Sequence, residues 1–340
     1  MHDCALSELI SQPDFAQRPS NERAPVLHAL IRGDAASNES TIAKPVLDVF
    51  RTLREGRERF GARAFGPYIV SMSRSAADAL AVLALAHVAG FHQSNGHVAI
   101  DIAPLFETVA DLEAAESSLR SLFADPVYRE HLQQRSQTQM VMLGYSDSAK
   151  DGGILASRWA LQRTQVALTL LAQESGIRIV FFHGRGGSAS RGGGKTERAV
   201  MASPRGSVDG YLRLTEQGEV IHRKYGVRAL AERNLEQMTG AVLRATLRPR
   251  PIEMREVKWR DLATQMANDA RKHYRALVHD DPGFAEYFRA STPIDVIERL
   301  RIGSRRRGSA PCRNRCHCGR AWTRGRVARW PATWRAGWRR

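Results

Sequence analysis

Met140-Val141-Met142-Leu143 runs into Gly144-Tyr145-Ser146-Asp147-Ser148-Ala149-Lys150-Asp151-Gly152-Gly153; residues 154–173 then have helical length, and Ile177-Arg178-Ile179-Val180-Phe181-Phe182 closes the unit. The two short, largely apolar runs read as strands buried on both faces, where polar alternation is not expected. Between them Leu155, Trp159, Val166 and Leu170 share one helical stripe, most simply a core face. Strand, helix and strand in this order imply a parallel pair joined by a crossover.

The same pattern extends towards the N-terminus. Tyr68-Ile69-Val70-Ser71-Met72 and His97-Val98-Ala99-Ile100-Asp101-Ile102 predict two further strands, and residues 75–89 and 108–123 predict helices. Repeated alternation makes the fold class α/β with a parallel sheet, open or closed into a barrel. Residues 1–60 read as a polar helical segment with turns at Gln12-Pro13 and Ala24-Pro25. Residues 211–222 read as a hairpin around Gln217-Gly218, and the chain is helical in pattern from Leu230 to about residue 300, with a proline-rich joint at 248–252.

At 340 residues and 43% hydrophobic composition the chain can bury a substantial core, which excludes a disordered or collagen-like protein. The formal charge of +16 suggests a polyanionic partner at face value. Twelve arginines without a lysine or an acid lie between 305 and 340, so the first 304 residues carry only +4. That tail also holds Cys312, Cys316 and Cys318, leaving Cys4 as the one thiol before it. So few cysteines fit a reducing compartment. No secretory leader is visible at the N-terminus, and the longest apolar stretch, 76–91, is interrupted by Asp78 and His87 and is shorter than the roughly 20 residues of a membrane span. A cytoplasmic protein with no membrane partner is expected.

In parallel α/β folds the working groups sit in the loops that follow the strands. His183-Gly184-Arg185-Gly186-Gly187-Ser188-Ala189-Ser190-Arg191-Gly192-Gly193-Gly194 alternates glycine with arginine. Glycines let backbone amides approach an anion, and guanidinium forks grip phosphate or carboxylate. A phosphorylated or multiply carboxylated small substrate is implied; the other use, an RGG-type nucleic-acid segment, is disfavoured because the motif occurs once, behind a buried strand. Gly194-Lys195-Thr196 is not a Walker motif, since Ala189 stands where a glycine is required.

Asp147 offers a hard oxygen ligand and Lys150 a compact cation, and Glu107 at the preceding strand end could complete a pair of carboxylates for Mg²⁺ or Mn²⁺. On spacing alone that reading of Glu107 and Asp147 stands level with a helix-start role, whereas Asp151 reads as a helix-start residue. His183 is the leading acid-base candidate, with a structural hydrogen bond as the competing use.

These two loops resemble the signature loops of the phosphoenolpyruvate carboxylase family. Pro104-Leu105-Phe106-Glu107-Thr108, Leu214-Thr215-Glu216-Gln217-Gly218-Glu219-Val220-Ile221 and Ile302-Gly303-Ser304-Arg305 match further family stretches in the same order. The resemblance runs from about Phe65 to Arg305. It divides the chain into a helical segment at 1–60, a family segment at 61–305 and a basic Arg/Trp/Cys tail at 306–340.

The resemblance implies a partial β/α (TIM-like) barrel with many additional helices, assembled as a homotetramer or with a complementing N-terminal half. It implies a carbon-carbon lyase that joins phosphoenolpyruvate and bicarbonate to give oxaloacetate and phosphate, supplying the tricarboxylic acid cycle. It implies Mg²⁺ or Mn²⁺ on Glu107 and Asp147, Lys150 and Arg185 as catalytic groups, and Arg191, Gly184, Gly186 and Gly187 as substrate-binding positions. The family's His-Pro-Thr-Glu motif is absent, since no histidine here precedes proline, and the matching segment begins near the middle of the family's length. The tail after Arg305 departs from the family and is expected to be unstructured, the product of a shifted reading frame. The alternative from another class is a noncatalytic protein that binds anions through the Arg/Gly loop and nucleic acid through the tail.

Overall fold

The computed structural model describes residues 1–34, 41–188, 192–249, 251 and 253–299. Arg191, the Ile302–Arg305 stretch and the whole tail at 306–340, with its cysteines, lie outside the described residues.

The chain opens with helices α1 (His2–Leu9), α2 (Ser20–Arg32) and α3 (Ala43–Phe60). The alternating part follows as β1 (Tyr68–Val70), α4 (Ala76–Val88), β2 (Ile102–Phe106), α5 (Val109–Ala124), α6 (Pro126–Gln133), β3 (Thr138–Gly144), α7 (Ser146–Ser175) and β4 (Arg178–Gly184). Beyond it come α8 (Thr196–Met201), β5 (Arg213–Leu214), α9 (Gly218–Tyr225), α10 (Arg228–Leu247), α11 (Glu256–Arg275), α12 (Phe284–Ser291) and α13 (Ile294–Arg299).

Local chemistry accounts for the helix starts that matter most. Ser75 caps α4 and Thr108 caps α5, each completing a reciprocal box with an aspartate three residues on, Asp78 and Asp111. Asp125 caps α6, with Pro126 in the first turn, where its missing N–H costs nothing. α4 is apolar on nearly every side because it is enclosed: residues 79–86 are all buried. One apolar core joins Leu6, Leu27 and Phe50 of the N-terminal helices to Leu80, Phe106, Leu143 and Phe181.

The five strands form one parallel sheet in the order β1-β2-β3-β4-β5. Phe106 pairs with Leu143, Leu143 with His183 and His183 with Leu214, so these four residues make one row across the sheet. All strands run the same way, and their C-terminal ends share one edge.

Three expectations need correction. The second strand is Ile102–Phe106 and not residues 97–102, because the sheet pairing starts at Ile102 and carries on through Pro104. The expected hairpin at 211–222 does not form. Arg213 and Leu214 instead pair in parallel with β4, and Gln217 is the N-cap of α9. The stripe of Leu155, Trp159, Val166 and Leu170 is not the buried face of α7: Leu155 and Leu170 are exposed, while Ala156, Ala160, Leu161, Leu168 and Leu171 are buried. α7 carries two apolar faces, and the small residues of the second admit closer packing. Trp159 turns to α11, where its indole N–H donates to Thr264 at 2.9 Å. No helix among the described residues is long and apolar enough to cross a membrane.

Candidate active site at the strand ends

The residue after the row just described decides what the sheet edge presents. Glu107 follows β2, Gly144 ends β3 and Gly184 ends β4, and the two glycines are partners in the ladder. A Cβ on Gly144 would stand 3.0 Å from the Glu107 Cα, and one on Gly184 would stand 2.9 Å from the Leu143 carbonyl oxygen. Hydrogen at these positions lets adjacent strand ends approach closely and brings the buried Glu107 beside the loop that follows β3.

That loop is a single helical turn. Ser146 opens α7, and Gly153, with φ of 81°, interrupts it before the long segment begins. Buried Ser148 fastens the turn by donating to the Gly144 carbonyl at 2.6 Å and sharing a 2.7 Å hydrogen bond with Ser157. Asp151 accepts the Val109 N–H at the start of α5 and pairs with Arg275 of α11 at 2.8 Å and Arg271 at 3.5 Å. Its role is architectural, but it serves the start of α5 and the face of α11, not the start of its own helix as its sequence position suggests. Asp147 and Lys150 remain at the rim, Lys150 exposed and Asp147 partly so, and are paired with each other. The turn therefore brings one carboxylate and one ammonium together by i,i+3 spacing.

His183, in β4, is 3% exposed. Its Nδ1 lies 2.9 Å from the Tyr145 hydroxyl, and its carbonyl accepts the Thr215 N–H at 2.9 Å. Burial, with the charge of Arg185 beside it, pushes its pKa down to about 3. An imidazole so enclosed is a neutral hydrogen-bonding strut, which favours the structural use over acid-base work.

Arg185 is 9% exposed and turns its guanidinium over the Tyr145 ring, 5.7 Å from the centroid. Its Nε is buried without a hydrogen-bond partner. Its carbonyl is held from β5's side by the Thr215 hydroxyl at 2.8 Å. The chain through Gly186 and Gly187 folds back on itself: Gly193 N–H donates to the Ser188 carbonyl at 2.8 Å, leaving no room for a side chain at Gly193 against Gly187. Gly192 packs against both Tyr145 and Arg185. Arg191 lies outside the described residues.

Two residues at this edge went unremarked in the sequence. Tyr145 supports Arg185, His183 and Gly192 at once, and Arg158 of α7 places its guanidinium 5.0 Å from the same ring centroid. An aromatic set directly after a strand's last residue, among small residues, is the available signal for the first; the second shows only once α7 is folded against the loop.

As for a metal, the carboxylates of Glu107 and Asp147 are hard oxygen donors of the kind Mg²⁺ and Mn²⁺ accept, and one or two such groups suffice because Mg²⁺ retains several waters. Among the described residues no three His, Cys, Asp or Glu side chains gather into a complete metal cage. By donor chemistry alone the two carboxylates are of the type a hydrated divalent ion takes.

A family model described as phosphoenolpyruvate carboxylase matches residues 3–314, further in both directions than the resemblance read from motifs, which runs from about Phe65 to Arg305. Similar proteins include the phosphoenolpyruvate carboxylase of Xanthomonas oryzae pv. oryzae (strain MAFF 311018), 54% identical over 307 residues that cover 90% of this chain and 34% of that protein. The phosphoenolpyruvate carboxylase of Synechococcus sp. (strain WH7803) is 43% identical over 271 residues, 78% of this chain and 27% of that protein. That of Mycobacterium avium (strain 104) is 40% identical over 325 residues, 90% of this chain and 34% of that protein. The chain spans about a third of the length of these curated relatives.

Proposed function

The chain belongs to the phosphoenolpyruvate carboxylase family, and from that premise we propose that its sheet edge is the metal and bicarbonate side of a carboxylation site. The reaction would join bicarbonate and phosphoenolpyruvate to give oxaloacetate and phosphate. Bicarbonate attacks the phosphoryl group, carboxyphosphate and the enolate of pyruvate form, and carbon dioxide released from the first is captured by the second.

One observation carries the reading: Glu107 directly follows β2 while Gly144 and Gly184 end the neighbouring strands, with the Asp147-Lys150 pair in the turn after Gly144 and Arg185 directly after Gly184. Glu107 and Asp147 would hold Mg²⁺ or Mn²⁺, which when bound neutralises charge on the reacting phosphoryl and enolate oxygens. Lys150, a compact point charge at the rim, would steady negative charge as it develops on the enolate oxygen. Arg185 carries a buried N–H in want of an acceptor and would meet it with a phosphate or carboxyphosphate oxygen. Gly184, Gly186, Gly187 and Arg191 would serve as substrate-binding positions for the anion. Phosphoryl transfer asks mainly for positioning and neutralisation of charge, which these groups supply.

The five sequential parallel strands are read as part of a β/α barrel, in a cytoplasmic protein that assembles as a homo-oligomer or with a complementing N-terminal half. The test is phosphoenolpyruvate-dependent oxaloacetate formation, followed by coupled reduction to malate, in purified protein with and without a separately supplied N-terminal half. Turnover that needs bicarbonate and a divalent metal, and that disappears in Arg185→Gln, supports the assignment; no turnover in either mixture counts against it.

A further inference from the structure

Beyond the groups assigned above, a second arginine converges on the same phenol ring. Arg158 lies on α7 just past the break at Gly153, half-buried, with its guanidinium 5.0 Å from the Tyr145 centroid, against 5.7 Å for Arg185. Its position is fixed from both sides. Ser157, the preceding residue, is hydrogen-bonded to Ser148 of the turn, and Tyr145 is itself held through its hydroxyl to His183. Burial, reinforced by the nearby charge of Arg185, lowers the pKa of the Arg158 guanidinium. The two guanidinium charges, both set against the Tyr145 ring in partly desolvated surroundings, repel, and a bound dianion would offset that repulsion. The buried, unpartnered Nε of Arg185 marks where such an anion is wanted.

We propose that Arg158 is a second anion-binding arginine of this site, adding its charge to that of Arg185 to hold the phosphate group, free or esterified. The inference rests on the assignment of Arg185 to phosphate above. In this arrangement Tyr145 is the platform that keeps both cations in place.

The experiment is titration of the full chain with inorganic phosphate and, separately, with phosphoenolpyruvate, followed by calorimetry, for the wild type, Arg158→Met, Arg158→Lys and Arg185→Gln. Arg158→Met keeps an apolar stem against the ring and removes the charge. It is expected to weaken both ligands by about tenfold or more, the scale of one charge-assisted contact, while Arg158→Lys retains most of the affinity. Thermal unfolding of each variant shows that it is folded. If Arg158→Met binds both ligands as the wild type does, or if Arg158→Lys is as weak as Arg158→Met, charge is not what Arg158 supplies and the inference is overturned. A loss confined to phosphoenolpyruvate overturns the assignment to the phosphate group. Arg185→Gln separates the two readings: if its phosphate affinity equals that of the wild type, or the wild type itself binds no phosphate, the site assignment fails and this inference with it. If Arg185→Gln is weak and Arg158→Met is not, only the inference falls.

Discussion

The Tyr145 hydroxyl and His183 Nδ1 meet at 2.9 Å in a buried contact that joins the loop after β3 to strand β4. The imidazole is kept neutral in the fold, with a pKa near 3 against an unfolded value of 6.5. A histidine whose folded pKa is depressed favours the unfolded chain once that chain can take up the proton. Its penalty is absent above pH 6.5 and grows as pH falls from there towards about 3. At pH 5 it should reach about 2 kcal/mol. Urea midpoints of the wild type and of His183→Gln at pH 7.5 and pH 5 check this. The variant is less stable at pH 7.5 but loses less on acidification; equal losses would show that His183 does not set the acid response.

At the rim, the Asp147-Lys150 pair is exposed at Lys150 and partly so at Asp147, so Asp147→Asn should change unfolding free energy by less than about 1 kcal/mol. The same substitution, like Glu107→Gln, is expected to lower Mn²⁺ affinity at least tenfold, as read by water-proton relaxation. Unchanged Mn²⁺ binding in both variants would remove these carboxylates from the metal site.

A methyl group at Gly144 would press on the Glu107 Cα at 3.0 Å and on the Phe106 carbonyl at 3.1 Å, both backbone atoms that cannot swing aside. Gly144→Ala is therefore expected to cost about 1–3 kcal/mol in chemical denaturation and to weaken Mn²⁺ binding by displacing Glu107. Gly96→Ala, with open space around its Cβ though at positive φ, is the comparison for backbone strain without the clash.

Asp151 is mostly buried and shared between the α5 N-terminus and two arginines of α11. Asp151→Ala should destabilise by about 2–4 kcal/mol, since it leaves a half-buried guanidinium without its partner. A double-mutant cycle with Arg275→Gln should return a coupling of about 1 kcal/mol or more; additive losses would mean the pair is not a unit.

The sequence carried the third and fourth strands, the helix between them and the glycine-arginine loop, because each is bounded by its own local signal. It concealed the second strand's true span, since Pro104 reads as punctuation while the sheet tolerates it, and it misplaced residues 213–214, whose two-residue pairing depends on a neighbouring strand. The Asp147-Lys150 pair was legible because both partners sit in one turn. Arg158 and Tyr145 were not, because their meeting depends on the break at Gly153 and on how α7 lies against the sheet. Periodicity identified an apolar face on α7 but could not choose between two of them.

The ion pair from Asp151 to Arg275 spans 124 residues of chain. A nascent polypeptide emerging from the ribosome would have completed every strand of the sheet well before Arg275 appeared. The turn bearing Asp147 and Lys150 would thus wait, with its anchoring carboxylate short of both arginines, through seconds of further translation. Any truncation, pause or proteolytic cut upstream of α11 would yield a sheet of ordinary appearance whose rim had never been locked.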